Sequence, residues 1–384
     1  MGTLSYILWY FLYFIPLGLV VPQMGSFVYN YLELNPGVLF LTSQLAMPIG
    51  ALLAGWLFDK TGYFRRILFI LIGVMGFSLN LLLHEVPHWA SWLLFALFYI
   101  AGGGVHPLLS SAYLKTGLPE RGFALARGFG TFSFLLVNAL LSFSSRESGL
   151  IIEFAAIGFL IVWPLTYFLP PVREKKKTAG KKRQLLLLRK LFSSHHFMAF
   201  FFLMVLYNFQ FVSAETVLSE YLNQKKLTLV GKPLQVLPLS WTVATLVETV
   251  FFFVLSLYRG KYPALGLLGL AFLAGILRYA FLLVTKDALV IVAVQGLHGI
   301  HFGAAYLGSV FYVREKSPSL LLATATAASQ LLARAIGGGF AGLLFGELAL
   351  LSWQLVFWLN FISAMAGFLY LYVFYRFFGK RSSF

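Results

Sequence analysis

Gly55-Trp56-Leu57-Phe58-Asp59-Lys60-Thr61-Gly62-Tyr63-Phe64-Arg65-Arg66 joins two apolar runs, and the way it does so decides the fold. The run before it (36–58) and the run after it (66–83) each approach the roughly 20 residues that span a bilayer. Asp59 falls at the C-terminal end of the first run, where a carboxylate disfavours the helix dipole unless a neighbour compensates it. Such a contact can break and reform, which makes the stretch a candidate latch between conformations.

Outward from this connection the pattern repeats. Apolar spans are read at 4–30, 36–58, 66–83, 89–114, 123–145, 149–170, 197–222, 236–258, 262–283, 287–313, 318–345 and 350–377. The chain is 60% hydrophobic and 11% charged over 384 residues, against about 25% charged in a soluble domain. The runs are continuous rather than alternating, which excludes a β-barrel. The expected class is an all-α polytopic membrane protein with twelve transmembrane helices.

A net charge of +16 invites a nucleic-acid reading, but its distribution points elsewhere. Alternate connections, around Lys60, Lys115, 173–190, Arg259, Arg314 and the Arg376/Lys380/Arg381 tail, hold 21 of the 29 Lys and Arg. The opposite connections hold Arg146, Lys225, Lys226, Lys232 and Lys286. By the positive-inside rule the first set is cytoplasmic, and with an even number of spans both termini join it. The expected location is a bacterial inner membrane, with no nucleic-acid partner. The chain has no cysteine, which removes disulfides and thiolate metal sites. No basic residue precedes Lys60, so the opening run reads as a retained helix rather than a cleaved leader.

The one break in composition is Val172-Arg173-Glu174-Lys175-Lys176-Lys177 through Gly180-Lys181-Lys182-Arg183. It reads as a solvated basic linker (171–196) that touches anionic lipid, between an N-terminal six-helix bundle (1–170) and a C-terminal one (197–384). Two bundles about a central loop is the layout of a rocking transporter.

Polar residues inside the spans carry the chemistry. Arg127 lies in the fifth span, Glu248 in the eighth, Arg278 in the ninth, and Gln295, His298 and His301 in the tenth. A charge at the bilayer centre costs at least about 2.5–3.5 kcal/mol, so these groups are expected to pair or to line a water-filled path. Gln295, His298 and His301 are spaced i, i+3, i+6 and share a helix face. Histidine titrates near neutral pH, and a carboxyl that changes arginine partners between two conformations makes a proton switch. Glu215, His106, Glu153 and Arg334 are further intramembrane polar residues, the first two candidates for a substrate cavity. The stripe Trp9, Tyr10, Tyr13, Phe14 and Tyr29 reads mainly as packing and interfacial anchoring.

The Gly55–Arg66 connection resembles the loop signature of the major facilitator superfamily, with the basic pair one residue later than in its commonest form. That resemblance implies a latch of Gly55, Asp59, Lys60, Gly62, Arg65 and Arg66. The Ala126-Arg127-Gly128-Phe129-Gly130-Thr131 stretch, Glu248, Leu277-Arg278-Tyr279 and Gln295-Gly296-Leu297-His298-Gly299-Ile300-His301 narrow the likeness to one branch. They resemble the branch holding lactose permease, the nucleoside–proton symporters and the phenylpropionate permeases. The resemblance implies that Arg127 and Glu248 bind substrate, with Glu248 coupled to protonation, and that Arg278 and His298 belong to a proton-handling cluster. His301 stands where lactose permease has its acidic proton carrier and Gln295 where it has a lysine, departures that point away from lactose itself.

His84-Glu85-Val86-Pro87-His88 spells a zinc-protease motif, but Pro87 breaks the single helix face that chemistry needs. No Walker A run or G-x-S-x-G elbow is present. The expected function is proton-coupled symport of a small polar organic solute, a sugar or nucleoside or an aromatic carboxylate, with no enzyme activity, metal or cofactor beyond the coupling proton, by a monomer. The alternatives are a proton-driven exporter of amphipathic compounds or lipids and a non-transporting sensor.

Overall fold

The computed structural model describes residues 2–30, 36–142, 148–172, 181–223, 227–229, 232–234, 236–258 and 263–378. Arg146, the 173–180 stretch of the linker, Lys225, Lys226, Arg259, Lys261 and the Lys380/Arg381 tail lie outside the described residues, as does the side chain of Glu215. The first half holds α1 (Gly2–Asn30), α2 (Pro36–Thr61), α3 (Phe64–Leu82), α4 (His88–Lys115), α5 (Glu120–Ser142) and α6 (Ser148–Leu165). A basic helix, α7 (Lys181–Ser193), follows. The second half holds α8 (His195–Asn223), α9 (Val236–Leu257), α10 (Ala264–Val284), α11 (Ala288–Lys316), α12 (Leu322–Ala327), α13 (Ala333–Leu351) and α14 (Trp353–Phe378).

Among the described residues, eleven helices are long and apolar enough to cross a membrane. One of them is the continuous rod that runs through α12 and α13. The twelfth span is α2, whose 26 residues give a rod about 39 Å long. It buries Ser43, Gln44 and Asp59. A helix is the form that satisfies every backbone group inside lipid, which is why these runs fold this way.

Packing pairs repeat with a shift of six spans. In the first half α1 packs on α5 and α6, α2 and α3 on α4, and α3 on α6. In the second half α8 packs on α13 and α14, α9 and α10 on α11, and α10 on α14. The two halves meet through α5 on α9 and through α2 on α12 and α13. Those two contacts interchange under the same shift, so the molecule has an approximate two-fold arrangement about its centre.

Glycine makes the tightest of these pairs possible. A Cβ on Gly103 would collide with the Met47 carbonyl between α2 and α4. At the equivalent crossing of α9 and α11, a Cβ on Gly299 would strike the Ala244 carbonyl and stand 2.6 Å from the Glu248 nitrogen. Gly299→Ala is therefore expected to push α11 off α9 at the level of Glu248. A transport assay and a melting curve check this: turnover should fall with a lowered Tm, whereas Gly339→Ala, which faces open space, should change neither.

Three features differ from the sequence reading. The span read as 318–345 carries a π-helical turn at Ala328–Leu332, where Gln330 donates to Ser309 Oγ at 3.2 Å. No hydropathy pattern signals such a turn. The second half of the linker is a helix rather than solvated coil, because Leu187 and the buried Leu191 give it a side that packs. A two-stranded antiparallel ribbon, β1 (Leu227–Leu229) with β2 (Lys232–Leu234), sits between α8 and α9. His84 and Glu85 lie in the exposed turn after α3 while His88 opens α4, so the protease-like motif spans no single helix.

Candidate functional site

The connections α2–α3, α4–α5 and α11–α12 share one end of the molecule, called here the basic end. The described hydrogen bonds and ion pairs between the halves run from that end inward to about the middle of α5.

The outermost layer is Asp59, 7% exposed. Lys115 Nζ donates to its Oδ1 at 3.0 Å. Across the interface the Thr324 backbone N and hydroxyl both donate to Oδ2 at 2.8 Å, and Ala323 N reaches Oδ1 at 3.3 Å. Asp59 thus caps the start of the opposite half's rod, where free N–H groups favour an anion. Gly55 lets α2 approach α12, since a Cβ there would stand 2.9 Å from the Ala323 carbonyl. Gly62, at φ +70°, makes the left-handed turn that ends α2. Arg314 pairs with Glu120 as a second clasp between α11 and α5.

Next inward is an aromatic layer. Tyr306 of α11 shares a 2.8 Å hydrogen bond with Ser110 of α4 and stacks on Phe123 of α5, ring centres 6.3 Å apart. Phe123 also meets Phe311 edge-on at 6.2 Å.

The innermost layer holds the charges. Arg127 and Glu248 are 4% and 6% exposed, and Arg127 Nη2 lies 3.7 Å from Glu248 Oε1. The Thr131 hydroxyl donates to that same oxygen at 2.9 Å. Rings of Phe14, Tyr306, Phe252 and Phe302 surround the guanidinium at 4.4, 5.1, 5.6 and 5.8 Å. These contacts favour a cation, most strongly when it is desolvated. His106 joins from α4, its ring 5.4 Å from Phe14 and 5.7 Å from Tyr13. One side of the pair therefore comes from α1, α4 and α5, the other from α9 and α11.

A second cluster lies within the second half, further from the basic end. Arg278 is 1% exposed and donates to Gln295 Oε1 at 2.7 Å. Gln295 Nε2 in turn donates to the Ile291 carbonyl. His301 is fully buried, and its Nε2 shares a 3.2 Å hydrogen bond with the Gln210 side-chain amide. Gly275 leaves the room for this pair, since a Cβ would stand 2.9 Å from Gln210 Oε1 and 3.1 Å from the imidazole. His298 stacks on Phe211 at 5.0 Å and meets Trp241 edge-on at 5.5 Å. Phe211 also touches His301 at 5.2 Å, so one ring connects both histidines.

The expected residues therefore fall into three groups. Arg127, Glu248 and His106 gather between the halves; Arg278, Gln295, His298 and His301 gather inside the second half; Gly55, Asp59 and Gly62 form the clasp. Lys60, Arg65 and Arg66 do not supply the cation of that clasp. Lys60 lies over Trp56 and Arg66 over Tyr63, and Lys115 takes the role. Glu153 is exposed; Trp9, Tyr10, Tyr13 and Phe14 of the aromatic stripe are buried, and the side chain of Tyr29 lies outside the described residues. Thr131, Tyr306, Lys115, Thr324 and Gln210 are the additions. Thr131 was within reach of sequence reasoning, one turn from Arg127 on the same helix face, and Gln210, with Asn208, is a polar amide in an apolar span. Nothing local in the sequence marks Thr324 as the partner of Asp59.

A family model described as MFS_1 like family matches residues 3–359. No curated protein matches the chain in sequence. Among solved structures the fold is similar to the nucleoside transporter NupG, with TM-score 0.68 and 19% identity over 99% of each chain. It is also similar to the human organic anion transporter MFSD10, with TM-score 0.75 and 14% identity over 96% of this chain and 98% of that one. The proton:xylose symporter XylE gives TM-score 0.70 and 18% identity over 98% of this chain and 94% of its own.

Proposed function

The chain belongs to the MFS_1 like family of major facilitator transporters, and from that premise we propose that it is a proton-coupled symporter of a small polar organic solute. A sugar or nucleoside is the leading substrate class and an aromatic carboxylate the second. The basic end is the cytoplasmic face of a bacterial inner membrane, with both termini on that side. The protein works as a monomer, and the proton is its only coupling partner.

The observation that carries this reading is the buried Arg127–Glu248 pair, which bridges the two halves inside a ring of aromatic side chains. A buried ion pair is weak evidence for stability, because desolvation offsets most of its attraction. Its value lies in being separable: a solute that takes hydrogen bonds from Arg127 frees Glu248 to accept a proton, and the halves then part. Arg127, Glu248, His106 and Glu215 hold the solute, and its ring stacks on the neighbouring aromatics. His298 and His301 pass the proton between Glu248 and the far side, and Arg278 and Gln295 set the charge and hydrogen bonding of the path beside them. The Asp59 clasp holds the cytoplasmic side closed while the site loads from outside. That Arg127 sits among rings also suits a carboxylate attached to an aromatic group.

The test is uptake of labelled sugar, nucleoside or aromatic acid into vesicles of purified protein under an imposed pH gradient, alkaline inside. Accumulation that a protonophore abolishes, and that Glu248→Gln lacks, supports symport. Uptake indifferent to the gradient would overturn it, and gradient-driven expulsion would establish export instead.

A further inference from the structure

We propose that α7 is a docking helix for anionic lipid headgroups, fixed at the membrane surface against the segment that enters the Asp59 clasp. The sequence of α7 holds Lys181, Lys182, Arg183, Arg189 and Lys190 and no Asp or Glu. Basic clusters of this size beside a transmembrane helix are attracted to anionic lipid and fade with salt. Charge alone fits a solvated loop equally well; three structural observations separate the two.

The first is anchorage. Leu191 is 3% exposed and Leu187 packs on the same core. One residue, Ser194, separates α7 from α8, so the helix cannot leave the level at which α8 enters the bilayer.

The second is what the outward side shows. Leu186 is 67% exposed and Phe192 38%, beside exposed Arg189 and Lys190. Apolar side chains next to long basic ones suit the boundary between acyl chains and phosphates, where Lys and Arg keep their heads at the phosphate level. The end of α6 and its short continuation expose Tyr167 and Phe168 on the same side of the protein, and α14 ends with exposed Tyr375 and Phe377. Aromatic residues at helix ends mark the interface, and Phe192 belongs to that belt.

The third is the neighbour. α7 contacts the turn Ser319–Leu321. Two residues further on begin the backbone donors, Ala323 and Thr324, that hold Asp59. A lipid that steadies α7 thereby steadies the start of the rod that closes the basic end. This follows from the contacts of α7 and holds whatever solute the protein carries.

The experiment uses the purified full chain in vesicles of equal phosphatidylglycerol and phosphatidylcholine, re-extracted in mild detergent, with the retained lipid quantified. No other protein is present, so an acidic protein partner cannot account for the result. Phosphatidylglycerol should be retained roughly twofold over phosphatidylcholine, the preference vanishing in Arg189→Gln/Lys190→Gln and surviving in Arg189→Lys. Both variants alter exposed positions, and an unchanged melting temperature shows that the fold is intact. Equal retention of the two lipids by the wild-type chain would overturn the proposal. So would a preference unaltered in the double variant, or one lost only when Lys175, Lys176 and Lys177, which precede α7, are replaced.

Discussion

Arg127→Met is expected to destabilise the protein by about 3–5 kcal/mol, because it strands the Glu248 carboxylate in a buried site with Thr131 as its described hydrogen-bond partner. Glu248→Met should cost a similar amount by stranding the guanidinium among its rings. The double variant Arg127→Met/Glu248→Met should recover most of the loss, since apolar side chains of similar volume replace a buried ion pair at little cost. Transport should behave differently. All three variants should lose about 30-fold or more in transport, because truncating one partner of a buried charge pair typically removes about 2–5 kcal/mol of binding. Melting curves and vesicle uptake on the same preparations separate the two effects. Recovery of stability without recovery of uptake identifies the pair as functional. If the double variant stayed as unstable as the singles, the pair would be a structural strut.

The second large effect is expected at the clasp. Asp59→Asn removes the charge facing Lys115, whose side chain is 5% exposed, and weakens the cap on α12. An uncompensated buried ammonium again costs about 3–5 kcal/mol, and the closed arrangement of the basic end carries that cost. The halves should then separate at this end for a larger share of the time. The chain lacks cysteine, so Ser110→Cys supplies a single reporter at a position fully buried in the closed form. In the Asp59→Asn background its labelling by a water-soluble maleimide should accelerate by about tenfold or more, the rate following the open population. An unchanged rate would mean that Tyr306, Phe123 and the Glu120–Arg314 pair hold the end closed without Asp59.

The sequence shows the membrane-spanning fold clearly because its signal is one-dimensional. Each span is a run of apolar residues whose length the bilayer sets, and a break near the middle divides the runs evenly. Charged residues within spans announce themselves for the same reason: lipid makes each one costly. Arg127, Glu248, Arg278, His298 and His301 are buried together in the two clusters. Partners are a different matter, since they depend on helix rotation and on which spans touch. Arg278 bonds Gln295 one helix away, and Glu248 reaches Arg127 and Thr131 across the interface between halves. Asp59 shows the same division. Its position at a helix end identified it as a residue needing compensation, but its backbone donors are at the start of α12, 264 and 265 residues along the chain. The neighbouring basic residues Lys60, Arg65 and Arg66 were the natural guess, and Lys60 and Arg66 lie over Trp56 and Tyr63 instead. The π-helical turn at Ala328–Leu332 left no trace in composition, because a single inserted residue per turn does not alter hydropathy.

External pH in a lightly buffered suspension of cells expressing the protein tests the central claim most directly. Sugars, nucleosides and aromatic acids are added one at a time, with Glu248→Gln cells alongside. Proton-coupled symport predicts that one class alkalinises the medium and that the variant abolishes the change. No pH movement with any class, from folded protein in the membrane, would contradict the account.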